Sequence, residues 1–253
     1  MRKYSGYLID LDGTMYRGNE PIDGAATFIH KLNEKDIPYL FLTNNSTSTQ
    51  ENVAQKLTSM GIDTTADHVF TSSLATAKYI KQKKTSARCM VIGEQGLYDA
   101  IEKEGLTIAD TSCDYVVIGL DRHITYEKLA QACLAIREGA IFISTNSDLA
   151  IPTERGFLPG NGALTSVITV STGVKPIFIG KPEQIIMEEA LEVLGTAKNN
   201  TIMVGDNYQT DILAGINASI DTLMVFTGVT QHEEYPHLKI KPTYNIQNLK
   251  EWG

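Results

Sequence analysis

The stretch from Leu8 to Thr14 constrains the fold of this chain more than any other part of the sequence. It reads Leu-Ile-Asp-Leu-Asp-Gly-Thr, so two acids stand two residues apart at the end of an apolar strand and before a turn. Because side chains alternate between the two faces of a strand, Asp10 and Asp12 project to the same side. Both carboxylates can therefore enter the crevice at the carboxyl edge of a parallel sheet, where open α/β sheets bind ligands.

The two acids have a functional and a structural interpretation. Such a pair can hold a hard cation and can supply a nucleophile together with an acid or base. An aspartate-rich turn is the simpler alternative for this stretch alone. A calcium-binding EF-hand loop is excluded, because Met15 stands where that loop needs glycine and Pro21 stands where it needs glutamate.

Apolar strands alternate with helical segments along the whole chain, which predicts an α/β fold with a doubly wound parallel sheet. The first elements are a strand at 7–10, a helix at 24–34 and a strand at 39–42. From about residue 84 the alternation restarts, as if a second unit were inserted. We therefore predict a core of residues 1–78 and 179–253 and an inserted α/β domain of residues 79–178.

The composition limits the classes of partner. A net charge of −8 argues against nucleic acid or an anionic membrane, since both attract basic surfaces. No segment is long and apolar enough to span a bilayer, and no long apolar signal region precedes the first strand. Three widely spaced cysteines fit neither a disulfide framework nor a zinc site. We expect free thiols and a cytoplasmic location.

Three further polar groups come directly after predicted strands. They are Thr43-Asn44-Asn45-Ser46 after Leu42, Lys181 shortly after Ile179, and Gly205-Asp206-Asn207, with Asp211, after Val204. Taken singly, these groups also fit a helix cap, a solvated lysine and a turn. Their common position at strand ends, in this order, predicts that they line one crevice together with Asp10 and Asp12.

With these four groups the chain resembles the haloacid dehalogenase (HAD) superfamily, in its NagD-like branch with a large α/β cap. The resemblance rests on Asp10-x-Asp12-Gly13-Thr14, Thr43-Asn44-Asn45, Lys181-Pro182, and Gly205-Asp206-Asn207 with Asp211. It implies a Rossmann-like core, a mobile cap over the crevice, and magnesium-dependent hydrolysis of small phosphomonoesters. The insertion at 79–178 would be the cap.

The resemblance also implies a role for each residue in the crevice. Asp10 would attack phosphorus and form an aspartyl-phosphate, and Asp12 would act as general acid and then as general base. The Mg²⁺ ligands would be the carboxylates of Asp10 and Asp206 and the backbone carbonyl of Asp12, with Asp211 and Asn207 orienting a water molecule beside the metal. The remaining residues would hold phosphate oxygens: Thr43, Asn44, Asn45 and Lys181.

Asp12 favours phosphate-ester hydrolysis over dehalogenation, because the dehalogenases of this superfamily lack an acid at this position. A phosphonate-cleaving relative would need a cap lysine that the sequence does not assign.

In the cap, Asn146 and Asp148 match a Thr-Asn-x-Asp stretch that relatives point towards the substrate, and residues 155–162 are expected to form a glycine-rich loop. Ile151 replaces a histidine of pyridoxal-phosphate phosphatases, which argues against that substrate.

Several functional alternatives stay open at this point. Nucleotides, sugar phosphates and small glycolytic phosphates all remain candidate substrates, and p-nitrophenyl phosphate should be cleaved in vitro. A non-catalytic sensor of phosphorylated ligands would keep the same crevice, and a phosphotransferase would pass the phosphoryl group to an acceptor other than water. Capped relatives often form dimers through the cap, and no residue pattern here decides for or against a homodimer.

Overall fold

The computed structural model describes residues 2–252 and separates into two compact units. The first unit contains the chain up to residue 43, residues 50–70 and the chain from residue 181 onward. The second unit contains residues 44–49 and 71–180. This division places residues 71–78 with the second unit, and the domain boundaries at 79 and 178 stay a prediction.

The described part of the chain contains fifteen strands and eight α-helices. The strands are β1 Gly6–Ile9, β2 Tyr16–Arg17, β3 Glu20–Pro21, β4 Tyr39–Thr43, β5 Val69–Thr71, β6 Arg88–Ile92, β7 Thr107–Ile108, β8 Tyr115–Ile118, β9 Ile141–Ser144, β10 Ala150–Thr153, β11 Gly156–Pro159, β12 Ile177–Phe178, β13 Thr201–Gly205, β14 Asp221–Val225 and β15 Tyr244–Ile246. The helices are α1 Ala25–Glu34, α2 Gln50–Ser59, α3 Ser72–Lys83, α4 Gln95–Lys103, α5 Tyr126–Arg137, α6 Asn161–Thr172, α7 Gln184–Leu194 and α8 Leu213–Asn217.

The first unit is built on a six-stranded sheet with the order β15-β14-β13-β1-β4-β5. Strand β1 pairs in parallel with both β13 and β4. If these six strands are numbered in chain order, the sheet reads 3-2-1-4-5-6 from the β5 edge, which is the doubly wound arrangement. Its order reverses between β1 and β13, so the loops after Ile9 and Gly205 open at the position where such sheets bind ligands.

Burial explains why these segments form strands. Every residue of β1 and of β13 is buried, as expected for central parallel strands covered on both faces. Helix α1 covers one face with Phe28, Ile29 and Leu32, which are spaced to lie on one side of a helix. The apolar core thereby holds the ends of β1 and β13 rigidly side by side.

The second unit has its own five-stranded parallel sheet, with the order β12-β9-β8-β6-β7. Its strand order reverses between β6 and β8. The segment 44–49 packs at this position: the backbone N–H of Leu120 donates to Ser46 Oγ at 3.1 Å, and the N–H of Gly96 donates to the Thr47 carbonyl at 2.9 Å. The segment 44–49 therefore occupies the switch point of this second sheet.

Two local expectations need correction. Residues 156–159 form strand β11, which pairs with β10 as an antiparallel hairpin, so only part of the predicted glycine-rich loop is loop. The turn at Glu154 and Arg155 joins the two strands, and Ile151 of one strand pairs with Leu158 of the other. The strand before Lys181 covers Ile177 and Phe178 and pairs with β9 in the second sheet, rather than with the sheet of the first unit.

The described residues also bear on the thiols and on membrane insertion. Cys89, Cys113 and Cys133 are free, with Cys113 half-buried and the other two buried. Within residues 2–252, the helices are all too short or too polar to cross a bilayer.

Candidate active site

Three carboxylates meet at the switch point of the first sheet. Asp10 follows β1, Asp206 follows β13, and Asp211 lies in a π-helical turn, Tyr208–Ile212, that precedes α8. One oxygen from each carboxylate lies within 4.8 Å of the others, and all three side chains are buried. A single π-helical turn is common at functional sites, and here it turns Asp211 back towards the strand ends. We refer to these three residues as the acid triad.

Lys181 contributes a buried cation beside the acid triad. Its ammonium donates to Asp10 Oδ1 at 2.5 Å, to Asp211 Oδ1 at 2.7 Å and to the Leu42 carbonyl at 2.9 Å. Burial alone would lower the pKa of this ammonium, but the carboxylates of Asp10 and Asp211 raise it above its usual value. Lys181 therefore stays protonated and offsets part of the negative charge.

One ammonium leaves the acid triad with excess negative charge. Burial raises the pKa of Asp10 well above its usual value, Asp211 adds to the rise, and Lys181 opposes it. Burial, followed by the charge of Asp211, raises the pKa of Asp206 to about 6. Buried carboxylates that repel one another and present only hard oxygen atoms fit a divalent cation that prefers oxygen ligands.

The carboxylate of Asp206 is held by neighbours from two loops. Thr14 Oγ donates to Oδ1 at 3.1 Å, and the backbone N–H of Val229 donates to Oδ2 at 2.6 Å. A side chain on Gly13, with φ +92°, or on Gly228 would overlap this carboxylate. The sequence interpretation did not include Thr14, Gly228 or Val229 as site residues, although glycine and threonine after a parallel strand are a usable signal.

The hydroxyl of Thr14 offers a test of this support. We expect Thr14→Val to raise the metal concentration needed for half-maximal activity by about 10- to 100-fold, because residues that orient a metal ligand typically have effects of that size. Thr14→Ser keeps the donor and should behave like the wild type. Metal titrations of activity on the three proteins measure this, and an unchanged requirement in Thr14→Val would show that the hydroxyl does not position Asp206.

The raised pKa of Asp206 predicts how the metal-free protein responds to pH. The folded value of about 6 exceeds the ordinary value of 3.8, so the folded state binds this proton more tightly than the unfolded state. The resulting stability is fully present below the ordinary value and is lost as pH rises through about 6. Asp206→Asn should therefore show a shallower fall of Tm over this range in chelator, and parallel Tm curves for both proteins would contradict the prediction.

Asp12 is not a member of the acid triad. It is exposed, and it forms an isolated backbone bridge with Tyr16. Although the residue as a whole is exposed, neighbouring protein atoms partly desolvate its carboxyl and raise its pKa, and the Lys56 ammonium opposes this rise. A raised pKa keeps a larger fraction of the carboxyl protonated, which suits the predicted role of Asp12 as a general acid.

Asn207 is held by local hydrogen bonds. Its backbone N–H donates to Asp211 Oδ2 at 3.0 Å, and its side-chain oxygen accepts the N–H of Gln209 at 3.0 Å. Asn207 thus caps the π-helical turn and fixes Asp211. The same turn requires glycine at position 205, because a side chain there would overlap the side chain of Asp211.

Among the predicted phosphate-binding and substrate residues, Thr43 at the end of β4 and Lys181 lie in the first unit. Asn44, Asn45, Asn146 and Asp148 lie in the second unit. There, Asn44 Nδ2 donates to Asp148 Oδ1 at 3.2 Å, and Asn146 Nδ2 donates to the carbonyl of Asn44 at 2.8 Å. Asn45 Oδ1 accepts backbone N–H groups of Thr47 and Ser48. The fold therefore brings Asn44, Asn146 and Asp148 together, and their roles towards phosphate and substrate stay predictions.

Comparison with known proteins agrees with this geometry. Residues 7–107 match the family described as haloacid dehalogenase-like hydrolase, and residues 178–252 match the family described as HAD-hydrolase-like. The 5'-nucleotidase YutF of Bacillus subtilis is 60% identical over 252 residues, which span 100% of this chain and 98% of that protein. The chain belongs to the HAD superfamily. The identification from its four polar groups is confirmed.

Other relatives specify the branch of the HAD superfamily and the activity class. The acid sugar phosphatase of Staphylococcus saprophyticus is 56% identical, across 99% of this chain and 97% of the relative. A variant of thermostable p-nitrophenylphosphatase from Bacillus stearothermophilus has a TM-score of 0.93 at 61% identity, covering 100% of this chain and 99% of that one. NagD from E. coli K-12 has a TM-score of 0.94 at 31% identity, with the same coverages. This HAD protein is NagD-like and is a phosphoric monoester hydrolase, as predicted.

Family membership has a consequence for the acid triad. HAD hydrolases use a divalent metal, and the buried oxygens of Asp10, Asp206 and Asp211 fit that requirement by charge and by donor type. The HAD fold with parallel sheets, predicted from the alternation of strands and helices, is likewise confirmed.

Proposed function

We propose that this protein is a Mg²⁺-dependent phosphohydrolase that acts on small phosphomonoesters through an aspartyl-phosphate on Asp10. The observation that carries the proposal is the position of Asp10 at the switch point, buried and in contact with the Lys181 ammonium at 2.5 Å. Asp206 and Asp211 lie beside it with oxygens suited to a hard cation. The proposed nucleophile, the Lys181 ammonium and carboxylates that could bind a metal therefore lie together.

The carboxylates of Asp10 and Asp206 and the backbone carbonyl of Asp12 would hold the metal, with Asp211 and Asn207 orienting a water molecule beside it. When bound, Mg²⁺ supplies positive charge that offsets the negative oxygens of the phosphate group. A donor set made only of oxygen atoms is typical of Mg²⁺ sites, whereas Zn²⁺ sites usually include nitrogen or sulfur ligands.

In the first step, a carboxylate oxygen of Asp10 attacks phosphorus in line with the leaving oxygen. An oxygen–phosphorus bond forms on Asp10 while the ester P–O bond breaks, and Asp12 gives its proton to the departing oxygen. In the second step, Asp12 accepts a proton from water, and that water attacks phosphorus, which releases inorganic phosphate and restores Asp10. Two moderate barriers replace one high barrier.

The phosphate group needs donors that do not move during these steps. Lys181 provides a fixed positive charge, and its contact with the Leu42 carbonyl limits its motion. We assign the hydroxyl of Thr43 and the amides of Asn44 and Asn45 to the phosphate oxygens. These donors stabilise the charge that shifts towards the transferred group.

Nucleoside monophosphates and sugar phosphates are the proposed substrate classes. The names of two relatives, a 5'-nucleotidase and an acid sugar phosphatase, support these classes. The p-nitrophenylphosphatase relative supports cleavage of p-nitrophenyl phosphate in vitro. Asn146 and Asp148 are proposed to contact the part of the substrate beyond the phosphate. Homodimer formation, the absence of nucleic-acid and membrane partners, and the cytoplasmic location stay predictions.

The metal requirement has a direct test. Chelator-treated protein is expected to lose phosphate release from p-nitrophenyl phosphate and to regain it with Mg²⁺. Ca²⁺ should restore little activity, because it is larger and takes about 6–8 ligands in looser geometry. Phosphate release that persists unchanged in excess chelator, with metal content verified by elemental analysis, would contradict the proposal.

A further inference from the structure

A cavity of about 440 Å³ lies in the first unit, and its lining does not include the acid triad. Arg2, Lys3 and Tyr4 line it from just before β1, and Ile37 lines it from just before β4. These residues place the cavity at the amino edge of the sheet, whereas Asp10 and Asp206 follow the carboxyl ends of their strands. Its volume is in the range typical of sites for small molecules.

The interior of the cavity is aromatic. Tyr4, Tyr7, Phe28 and Trp252 are all buried, and the rings of Tyr7 and Phe28 meet edge to face with centroids 5.7 Å apart. Trp252 Nε1–H donates to the hydroxyl oxygen of Tyr7 at 3.2 Å. Within residues 2–252, the hydroxyl hydrogen of Tyr7 has no acceptor, although Tyr7 is only 7% exposed. The donor capacity of this hydroxyl is therefore unused within the described residues.

The lining also contains cations that the protein does not neutralise. Lys3, Lys31 and Lys35 line the cavity, and within residues 2–252 none of them has a carboxylate within ion-pair distance. Lys31 and Lys35 stand at the C-terminal end of α1, where cations stabilise a helix. Lys3 comes from a different segment, so the helix does not explain its presence. Three ammonium groups at one cavity in a protein of net charge −8 favour an anion.

We propose that this cavity binds an aromatic phosphate, with its ring against the aromatic wall of the cavity and its phosphate among the three lysines. Aromatic faces hold planar rings, and ammonium groups provide strong charge-assisted hydrogen bonds to phosphate oxygens. This binding site is separate from the catalytic crevice and needs neither the metal nor Asp10.

Trp252 makes the proposal directly measurable, because it is the only tryptophan in the chain and lines the cavity. We would titrate metal-free Asp10→Asn protein with adenosine monophosphate and follow tryptophan emission, exciting at wavelengths that the nucleotide does not absorb. A saturable change in emission is expected. Adenosine and inorganic phosphate, titrated separately, should each bind at least about tenfold more weakly, because each lacks one half of the contacts.

The matched control is the triple variant Lys3→Gln, Lys31→Gln, Lys35→Gln, which keeps the aromatic interior and the catalytic crevice. It should lose at least about tenfold in affinity for adenosine monophosphate while hydrolysing p-nitrophenyl phosphate at the wild-type rate. Absence of any saturable emission change in the parent, equal affinity in the triple variant, or equally tight binding of adenosine would each overturn the proposal.

Discussion

Asp10→Asn is expected to lower kcat for phosphate release by at least about a thousandfold while the protein stays folded. Asparagine has the shape of aspartate but lacks the anionic oxygen that attacks phosphorus. Its amide oxygen can still accept from the Lys181 ammonium, which contacts Asp10 at 2.5 Å. The loss therefore reflects missing chemistry rather than a displaced lysine.

The stability of the Asp10→Asn variant distinguishes a loss of chemistry from a disturbance of the fold. Burial and the neighbouring Asp211 charge disfavour the ionised form of Asp10, so removal of its charge should leave Tm equal or higher in metal-free protein at neutral pH. Asp67→Asn, which changes an exposed aspartate of the same unit, is the matched control and should retain full activity. Phosphate release near the wild-type rate in Asp10→Asn would refute the nucleophile assignment.

Asp12→Asn is expected to impair the enzyme in a way that depends on the leaving group. A sugar phosphate releases a basic alkoxide and needs the proton, so its hydrolysis should fall about 10²- to 10⁴-fold. p-Nitrophenolate leaves without a proton, so its formation in the first turnover should stay close to the wild-type rate. The second step lacks its general base in this variant, so later turnovers should be slow with both substrates.

Rapid-mixing kinetics distinguish these steps. Asp12→Asn should give a burst of p-nitrophenolate of at most one equivalent per active site, followed by a slow phase. The exposure of Asp12 makes collapse of the fold an unsatisfactory explanation for lost activity. Equal losses in the first turnover for p-nitrophenyl phosphate and a sugar phosphate would remove Asp12 from the general-acid role.

The positions of Asp10 and Asp206 were predictable because they follow from the local sequence pattern and the order of the strands. An apolar strand that ends in Asp-x-Asp-Gly-Thr places Asp10 at a strand end, and the order of the strands brings Asp206 beside it. Lys181 was predicted to lie near Asp10, and it does. The prediction relied on a strand of the same sheet ending before Lys181, but that strand, β12, lies in the second sheet. A lysine side chain is long enough for its ammonium to reach Asp10 from a neighbouring loop, so the strand that precedes it carries little positional information.

The residues that hold the Asp206 carboxylate were harder to predict from the sequence. The N–H of Val229 donates to Asp206 through the backbone, so the identity of the side chain gives no signal. Gly228 is needed because of a close approach that only the folded chain creates. The segment 44–49 likewise packs at the switch point of the second sheet, a long-range contact that local periodicity does not encode. Such features depend on tertiary packing, which a single sequence does not specify locally.

Direct detection of the phosphorylated enzyme tests the central claim most directly. Asp12→Asn, mixed with p-nitrophenyl phosphate and Mg²⁺ and quenched in acid, should gain the mass of one phosphoryl group, and peptide mapping should locate that group on Asp10. The double variant Asp10→Asn, Asp12→Asn should gain none. A phosphoryl group on another residue, or wild-type turnover by direct transfer to water with no trapped intermediate in Asp12→Asn, would contradict catalysis through an aspartyl-phosphate on Asp10.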